Sequence, residues 1–294
     1  MKKAFVLLFA VMMLLTGCAG NAPARIAATT LPVYEFTVRI CRNTPLSVAR
    51  LVTEEVSCLH DYSLNVSQVK AAESAEVIVI SGAGLEDFMA DVLTSAPIID
   101  ASQGISLLTP EEHSHDHEEE PHSHEGHHHE EDPHIWLSPV NAMAMARNIC
   151  SGLTDLYPDY QTVFQENLKD LLSQLDDLRV YSETELKDLS CREIITFHDG
   201  FAYLAQSCNL EILDAIEEES GSEASAKELI HMIEEVEHHR LPAIFTEKSG
   251  SVSAAGIIAR ETGAKTFDLD MAMAGDSYFD AMYHNINILK EALQ

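Results

Sequence analysis

The chain has 294 residues, 46% apolar and 22% charged, which excludes a wholly disordered polymer and supplies material for one or two globular cores. Lysine and arginine number 18 against 48 aspartates and glutamates, a formal charge of −30. Such a surface repels phosphate backbones, so no nucleic-acid partner is expected and cationic ligands are favoured.

Lys2 and Lys3 open the chain, and Ala4 to Leu15 is an unbroken apolar run. As a helix that run would be about 18 Å long, too short for a bilayer core of about 30 Å, and it reads as a signal peptide over residues 1–17. Its ending, Leu15-Thr16-Gly17-Cys18, resembles the lipobox of bacterial lipoproteins, in which the cysteine becomes the lipid-bearing first residue. The expectation is a lipid-anchored, extracytoplasmic protein, attached to the bacterial cell membrane through Cys18, with residues 18–24 as tether. Five cysteines then remain. Cys41 and Cys58, and Cys191 and Cys208, enclose stretches of equal length and are the disulfide candidates of an exported protein. Each bridge would add about 3 kcal/mol in the chain-entropy model. Cys150 lies in an apolar helical pattern and reads as a buried thiol.

From residue 25 strands and helices alternate. Strands are expected over 25–29, 49–55, 77–80, 97–99 and 105–108, with helices from 32 to 39, 67 to 75, 85 to 92 and 139 to 153. Pro139 stands at the first turn of the last of these, where its missing N–H costs nothing. Residues 159–189 carry the longest helical stripe: Val163, Leu168, Leu171, Leu172, Leu175, Leu178 and Val180. It predicts a connecting rod of about 40 Å, or two helices joined near Tyr181. The grammar then restarts. Strands are expected over 193–197, 211–215, 243–246 and 265–269, and helices over 201–207, 225–239, 251–262 and 277–293. Ser225 serves as an N-cap and Gly263 as a stop. The fold class is therefore α/β: two similar domains with mainly parallel sheets, residues 25–157 and 190–294, joined by a long rigid helix at 158–189. A ligand cleft is expected between the carboxyl ends of the two sets of strands.

Between the first domain's last strand and the helix at 139, residues 111–132 hold eight histidines, ten acidic residues and no lysine or arginine. His113, His115, His117, His122, His124, His127, His128 and His129 offer imidazoles to borderline metals, and the carboxylates attract a dication. With nothing apolar to bury, the tract cannot fold alone and reads as a collecting or sensing loop.

Asp132-Pro133-His134-Ile135-Trp136-Leu137-Ser138-Pro139 follows directly. It resembles the DPHxWLSP signature of the metal-binding lipoproteins that feed zinc and manganese ABC importers, the cluster A-I solute-binding proteins. Cys58-Leu59-His60-Asp61-Tyr62 resembles the family's first-ligand loop. The segment from Ile195 to Leu204, with His198-Asp199-Gly200-Phe201, is similar to its FHDAFxYLA segment. Ile244-Phe245-Thr246-Glu247, Leu269-Asp270 and Asp276-Ser277-Tyr278 continue the likeness to the end of the chain.

The resemblance implies four metal ligands: His60 and His134 from the first domain, His198 and Asp270 from the second. Asp268 is the rival for the fourth place, and Met271 stands where the family often has proline. Glu247 is implied to orient a ligand histidine by hydrogen bonding. Three imidazoles and one carboxylate suit tetrahedral Zn²⁺, and more carboxylate would suit Mn²⁺. The implied function is capture of Zn²⁺, with Mn²⁺ as alternative cargo, for delivery by a monomer to an ABC permease and its cytoplasmic ATPase. Ligands divided between domains would let a modest domain movement break the coordination shell, with the rod limiting it. An extracellular zinc buffer or adhesin is the alternative class. A carboxylate at Asp270 would close the fourth position that a catalytic zinc keeps for water, so a zinc hydrolase is disfavoured and no enzyme is expected.

Overall fold

The computed structural model describes residues 25–54, 59, 62–93, 96–109, 131–215, 224–248 and 253–294. Cys18, Cys58, His60 and all eight loop histidines lie outside the described residues, as do the signal segment and tether.

Two four-stranded parallel sheets carry the chain. In the first, β1 (Ile26–Ala28) lies between β2 (Val48–Arg50) and β3 (Val77–Ile80), and β3 pairs outward with β4 (Ile98–Asp100). The second repeats this plan: β5 (Glu193–Thr196) lies between β6 (Glu211–Ala215) and β7 (Ala243–Glu247), with β8 (Lys265–Leu269) outside β7. The inner strands are short apolar runs, as expected of parallel strands covered on both faces. Helices α1 (Leu31–Ile40) and α2 (Val66–Ser74) follow β1 and β2. α2 begins with a capping box, Asn65 bonding the amides of Ser67 and Gln68 while Gln68 returns to the Asn65 N–H.

Two expected elements of the first half do not form. Residues 85–92 hold only a 3₁₀ turn, Asp87–Met89. Between β3 and that turn the chain passes through Gly82, Ala83 and Gly84, all with positive φ. Ile105, Leu107 and Leu108 pack on the core from irregular backbone instead of adding a strand.

α3 (Pro139–Leu156) and α4 (Gln161–Glu185) meet through a short 3₁₀ turn and pack against each other. α4 is one continuous helix of 25 residues, about 37 Å long. It buries Phe164, Leu168, Leu171, Leu175 and Leu178 along one stripe and leaves Val180 exposed. Buried Asn167 on the same face donates to the carbonyls of Ile40 and Arg42, satisfying the C-terminal end of α1. α5 (Ala202–Ser207), α6 (Ala226–His239), α7 (Ser253–Thr262) and α8 (Tyr278–Leu293) complete the second half. Ser225 caps α6 in a capping box with Glu228. One contiguous core runs from β1 through α3 and α4 to α8. No described helix is long and apolar enough to cross a membrane.

Among the described residues no disulfide joins Cys191 to Cys208, and Cys58, the expected partner of Cys41, lies outside them. Cys41, Cys191 and Cys208 are free thiols. Cys191 Sγ donates to the Glu193 carbonyl beside it, whereas Cys208 Sγ faces Ser182 Oγ on α4 at 3.4 Å. Equal sequence spacing therefore does not aim the two sulfurs at each other. Cys41 is buried beside Cys150, and burial, aided by that neighbour, pushes its thiol up to about 12. Cys150 is likewise a buried thiol, raised by burial. Both are inert at neutral pH.

Candidate metal centre

His134 and His198 come from opposite halves of the chain, and their rings meet edge to face with centroids 5.3 Å apart. His134 ends the extended segment before the 3₁₀ turn Ile135–Leu137 and is buried. Its backbone N–H donates to Asp132 Oδ1 at 2.9 Å, and its ring Nδ1 lies 2.7 Å from the same oxygen. A carboxylate so placed favours the tautomer with the proton on Nδ1, which leaves the Nε2 lone pair able to take a metal. The Asp132 carbonyl accepts from Tyr203 of α5 at 3.0 Å, and that hydroxyl accepts from Leu108 N–H at 2.9 Å. Two positions beyond His134, fully buried Trp136 donates Nε1–H to the Met271 carbonyl at 2.7 Å.

His198 follows β5 at its carboxyl end, where parallel sheets present ligand-binding groups. Its carbonyl accepts from Thr196 Oγ1, and Asp199 opens the 3₁₀ turn behind it. Gly200 in that turn is a contact point. A Cβ there would fall 2.8 Å from His134 Cε1, His134 Nδ1 and Met271 Cε. Only a residue without a side chain lets the His134 ring lie so close to the turn.

Asp270 sits just past β8. Asn285 of α8 clamps its backbone from both sides, accepting from Asp270 N–H and donating to Asp270 O, each at 2.7 Å. Asp270 Oδ1 accepts from Ala272 N–H at 2.8 Å, and Oδ2 accepts from Lys248 Nζ at 3.0 Å. Glu247 is buried at the end of β7. Burial, and then the charge of Asp270, push its carboxyl up to about 8. It faces Asp270, and the carboxylate seen against a histidine ring is that of Asp132. Asp268, the rival for the fourth place, is half exposed on β8, 3.5 Å from His284.

The structure thus brings His134 and His198 together and places Asp270 beside Lys248 and Glu247. Among the described residues no group of three or more His, Cys, Asp or Glu is arranged to hold a metal ion. The remaining described histidines stand apart from this pair and are partly exposed. His231 is 3.1 Å from Asp214, and His239 is 3.1 Å from Glu193. Sequence reasoning passed over Asp132, Gly200, Tyr203 and Asn285. A carboxylate two residues before His134 was the available signal for the first; the other three depend on tertiary contact.

Two repeated parallel α/β halves bridged by a continuous helix, with two imidazoles meeting at their junction, have the architecture of a two-domain solute-binding protein. The chain belongs to the family of the zinc-uptake complex component A, periplasmic, whose model matches residues 26–292. It is 30% identical over 314 residues to the zinc-binding lipoprotein AdcA of Streptococcus pneumoniae strain R6, covering 99% of this chain and 61% of that protein. It is 28% identical over 281 residues to the high-affinity zinc uptake system protein ZnuA of Bacillus subtilis strain 168, covering 91% and 87%. A solved structure of ZnuA superimposes with TM-score 0.77 at 28% identity, covering 92% of this chain and all of that one. Zn(II)-bound AdcA of S. pneumoniae gives 0.75 at 26% identity, covering 92% and 58%. The chain therefore spans about three fifths of the AdcA relatives' length.

Proposed function

We propose that the protein captures Zn²⁺ between its two halves and delivers it to an ABC-type permease driven by a cytoplasmic ATPase, from the outer face of a membrane to which Cys18 is lipid-anchored. The observation that carries this reading is the His134–His198 ring contact, with Asp132 aligning one ring, at the carboxyl end of β5. His60 and Asp270 complete the ligand set. Imidazole-rich coordination favours zinc over manganese, since hard Mn²⁺ prefers carboxylate oxygens. The relatives' names, a zinc-binding lipoprotein and a zinc uptake protein, support the same cargo. The role is binding and transfer, not catalysis: a carboxylate in the fourth position leaves no open place for a reacting water. The histidines between His113 and His129 collect metal at lower affinity.

Competitive titration against chelators tests the assignment. Deleting residues 111–131 should leave one tight equivalent of zinc. His60→Ala, His134→Ala and His198→Ala should each abolish it. Tight binding retained in all three substituted proteins would overturn the site.

A further inference from the structure

We propose that Lys248 is a built-in competitor of the metal: its ammonium takes the Asp270 oxygen that a bound dication needs, and so sets how tightly the site holds its cargo. The proposal rests on the reading of Asp270 as a ligand.

The juxtaposition follows from strand register. β7 and β8 pair in parallel with Glu247 opposite Leu269, and Lys248 N–H donates to the Leu269 carbonyl at 2.9 Å. The next residue along each strand, Lys248 and Asp270, must then lie side by side, and Nζ reaches Oδ2 at 3.0 Å. The rest of Asp270 cannot turn away. Its Oδ1 is committed to Ala272 N–H and its backbone to Asn285. The carboxylate therefore has one oxygen tied to the protein and one offered to a cation.

The two partners differ in exposure. The Asp270 side chain is 17% exposed, whereas that of Lys248 is 56% exposed. The ammonium thus reaches in from solvent on a flexible stem and can return to it. Such a pair is weak, so a dication held also by imidazoles displaces it, and the lysine regains the carboxylate when the metal leaves. Capture and release share one oxygen, with the lysine as the exchange partner. The protein avoids exposing an uncompensated carboxylate beside buried Glu247 at either stage.

The test measures zinc affinity by chelator competition and thermal stability of the metal-free protein, for the full chain and its variants. Lys248→Ala should tighten zinc binding by roughly two- to fivefold, the range spanned by a surface ion pair. The metal-free protein should melt at the same or a lower temperature. Lys248→Arg should restore wild-type affinity. Lys265→Ala, which removes a positive charge from the far end of β8, should leave zinc affinity unchanged. A purely structural ion pair would lower both stability and affinity in Lys248→Ala, and that result overturns the proposal. Equal tightening in Lys265→Ala overturns it also, because generic charge would then explain the effect. Asp270→Asn separates the two readings. If it leaves zinc affinity intact, the ligand assignment fails. If it weakens zinc while Lys248→Ala changes nothing, only the competitor role fails.

Discussion

His134 is held by what lies on either side of its ring: Asp132 Oδ1 against Nδ1, and the bare Cα of Gly200 against Nδ1 and Cε1. Asp132→Asn keeps the shape but can present its NH₂ to Nδ1, which favours the tautomer with the proton on Nε2. Zinc affinity should fall about 10- to 100-fold, measured by chelator competition, with the fold intact by circular dichroism. Gly200→Ala should weaken zinc by pushing the imidazole off its axis. The same Cβ also meets Met271 Cε, so Met271→Ala opens room for it. The double variant should bind more tightly than Gly200→Ala alone. Additive losses would show that the methionine gives no relief. Glu86 is the second residue whose environment sets a testable property. It is buried and accepts hydrogen bonds from Thr29 Oγ1, Ser81 N–H and Gly82 N–H. Burial outweighs these donors and, with the Asp100 charge, pushes its carboxyl up to about 7. A raised carboxyl binds its proton more tightly folded than unfolded, so this group's contribution to stability falls as pH rises from about 4.5 to about 7. Denaturant titrations of the metal-free protein across that window should show a slope that Glu86→Gln removes. An identical slope in the variant would place the titration elsewhere.

Helix α4 shows what a stripe of leucines can and cannot tell. Leu175 is fully buried against the common core, whereas Val180 of the same apolar stripe is 46% exposed. Leu175→Ala should cost about 2–5 kcal/mol of unfolding free energy by urea titration, and Val180→Ala within about 0.5 kcal/mol. Comparable costs at the two positions would mean that the helix buries a different face. Periodicity located α4, α6 and β8 because their patterns are local: a stripe at helical spacing, Ser225 ahead of Glu228, an alternating run ending in Leu269. It failed at 85–92, where apolar spacing suits a helix but three consecutive positive-φ residues precede a chain that turns instead. It failed again at 105–108, where Ile105 and Leu108 are wanted by the core and no strand is needed to deliver them. The site divides similarly. His134 and His198 stand in contiguous motifs and could be read. Asn285 clamps Asp270 across 15 residues, and Lys248 reaches it across 22, distances that only strand pairing and helix docking close.

The two halves are joined by more than the rod. Residues 271–278, immediately after Asp270, are bonded to the first half at successive points. Trp136 Nε1 donates to Met271 O, Leu31 N–H to Met273 O, Arg50 Nη1 to Gly275 O at 2.6 Å, and Tyr278 N–H to Glu35 Oε2 at 2.6 Å. Tyr278 OH returns to the Trp136 carbonyl, and its ring packs edge to face on Phe36. Asp270 belongs to the second half by sheet, yet the segment that follows it is fastened to α1 and β2. Parting the halves to break the coordination shell would sever these bonds and open the shared core. Exchanging each of these bonds for water would cost about 0.5–1.5 kcal/mol net, before the exposed core is counted. Release by exchange at single ligands, with the halves closed, avoids it. Two observations in solution follow. The amides of Leu31 and Tyr278 should stay protected from hydrogen exchange with zinc present and after its removal by chelator. The radius of gyration from small-angle scattering should differ between those states by less than about 1 Å, the scale of backbone change in pre-organised binding proteins. Deprotection of Leu31 and Tyr278 on zinc removal, together with an expanded particle, would mean that the 271–278 fastening opens and that the halves part to let the metal go.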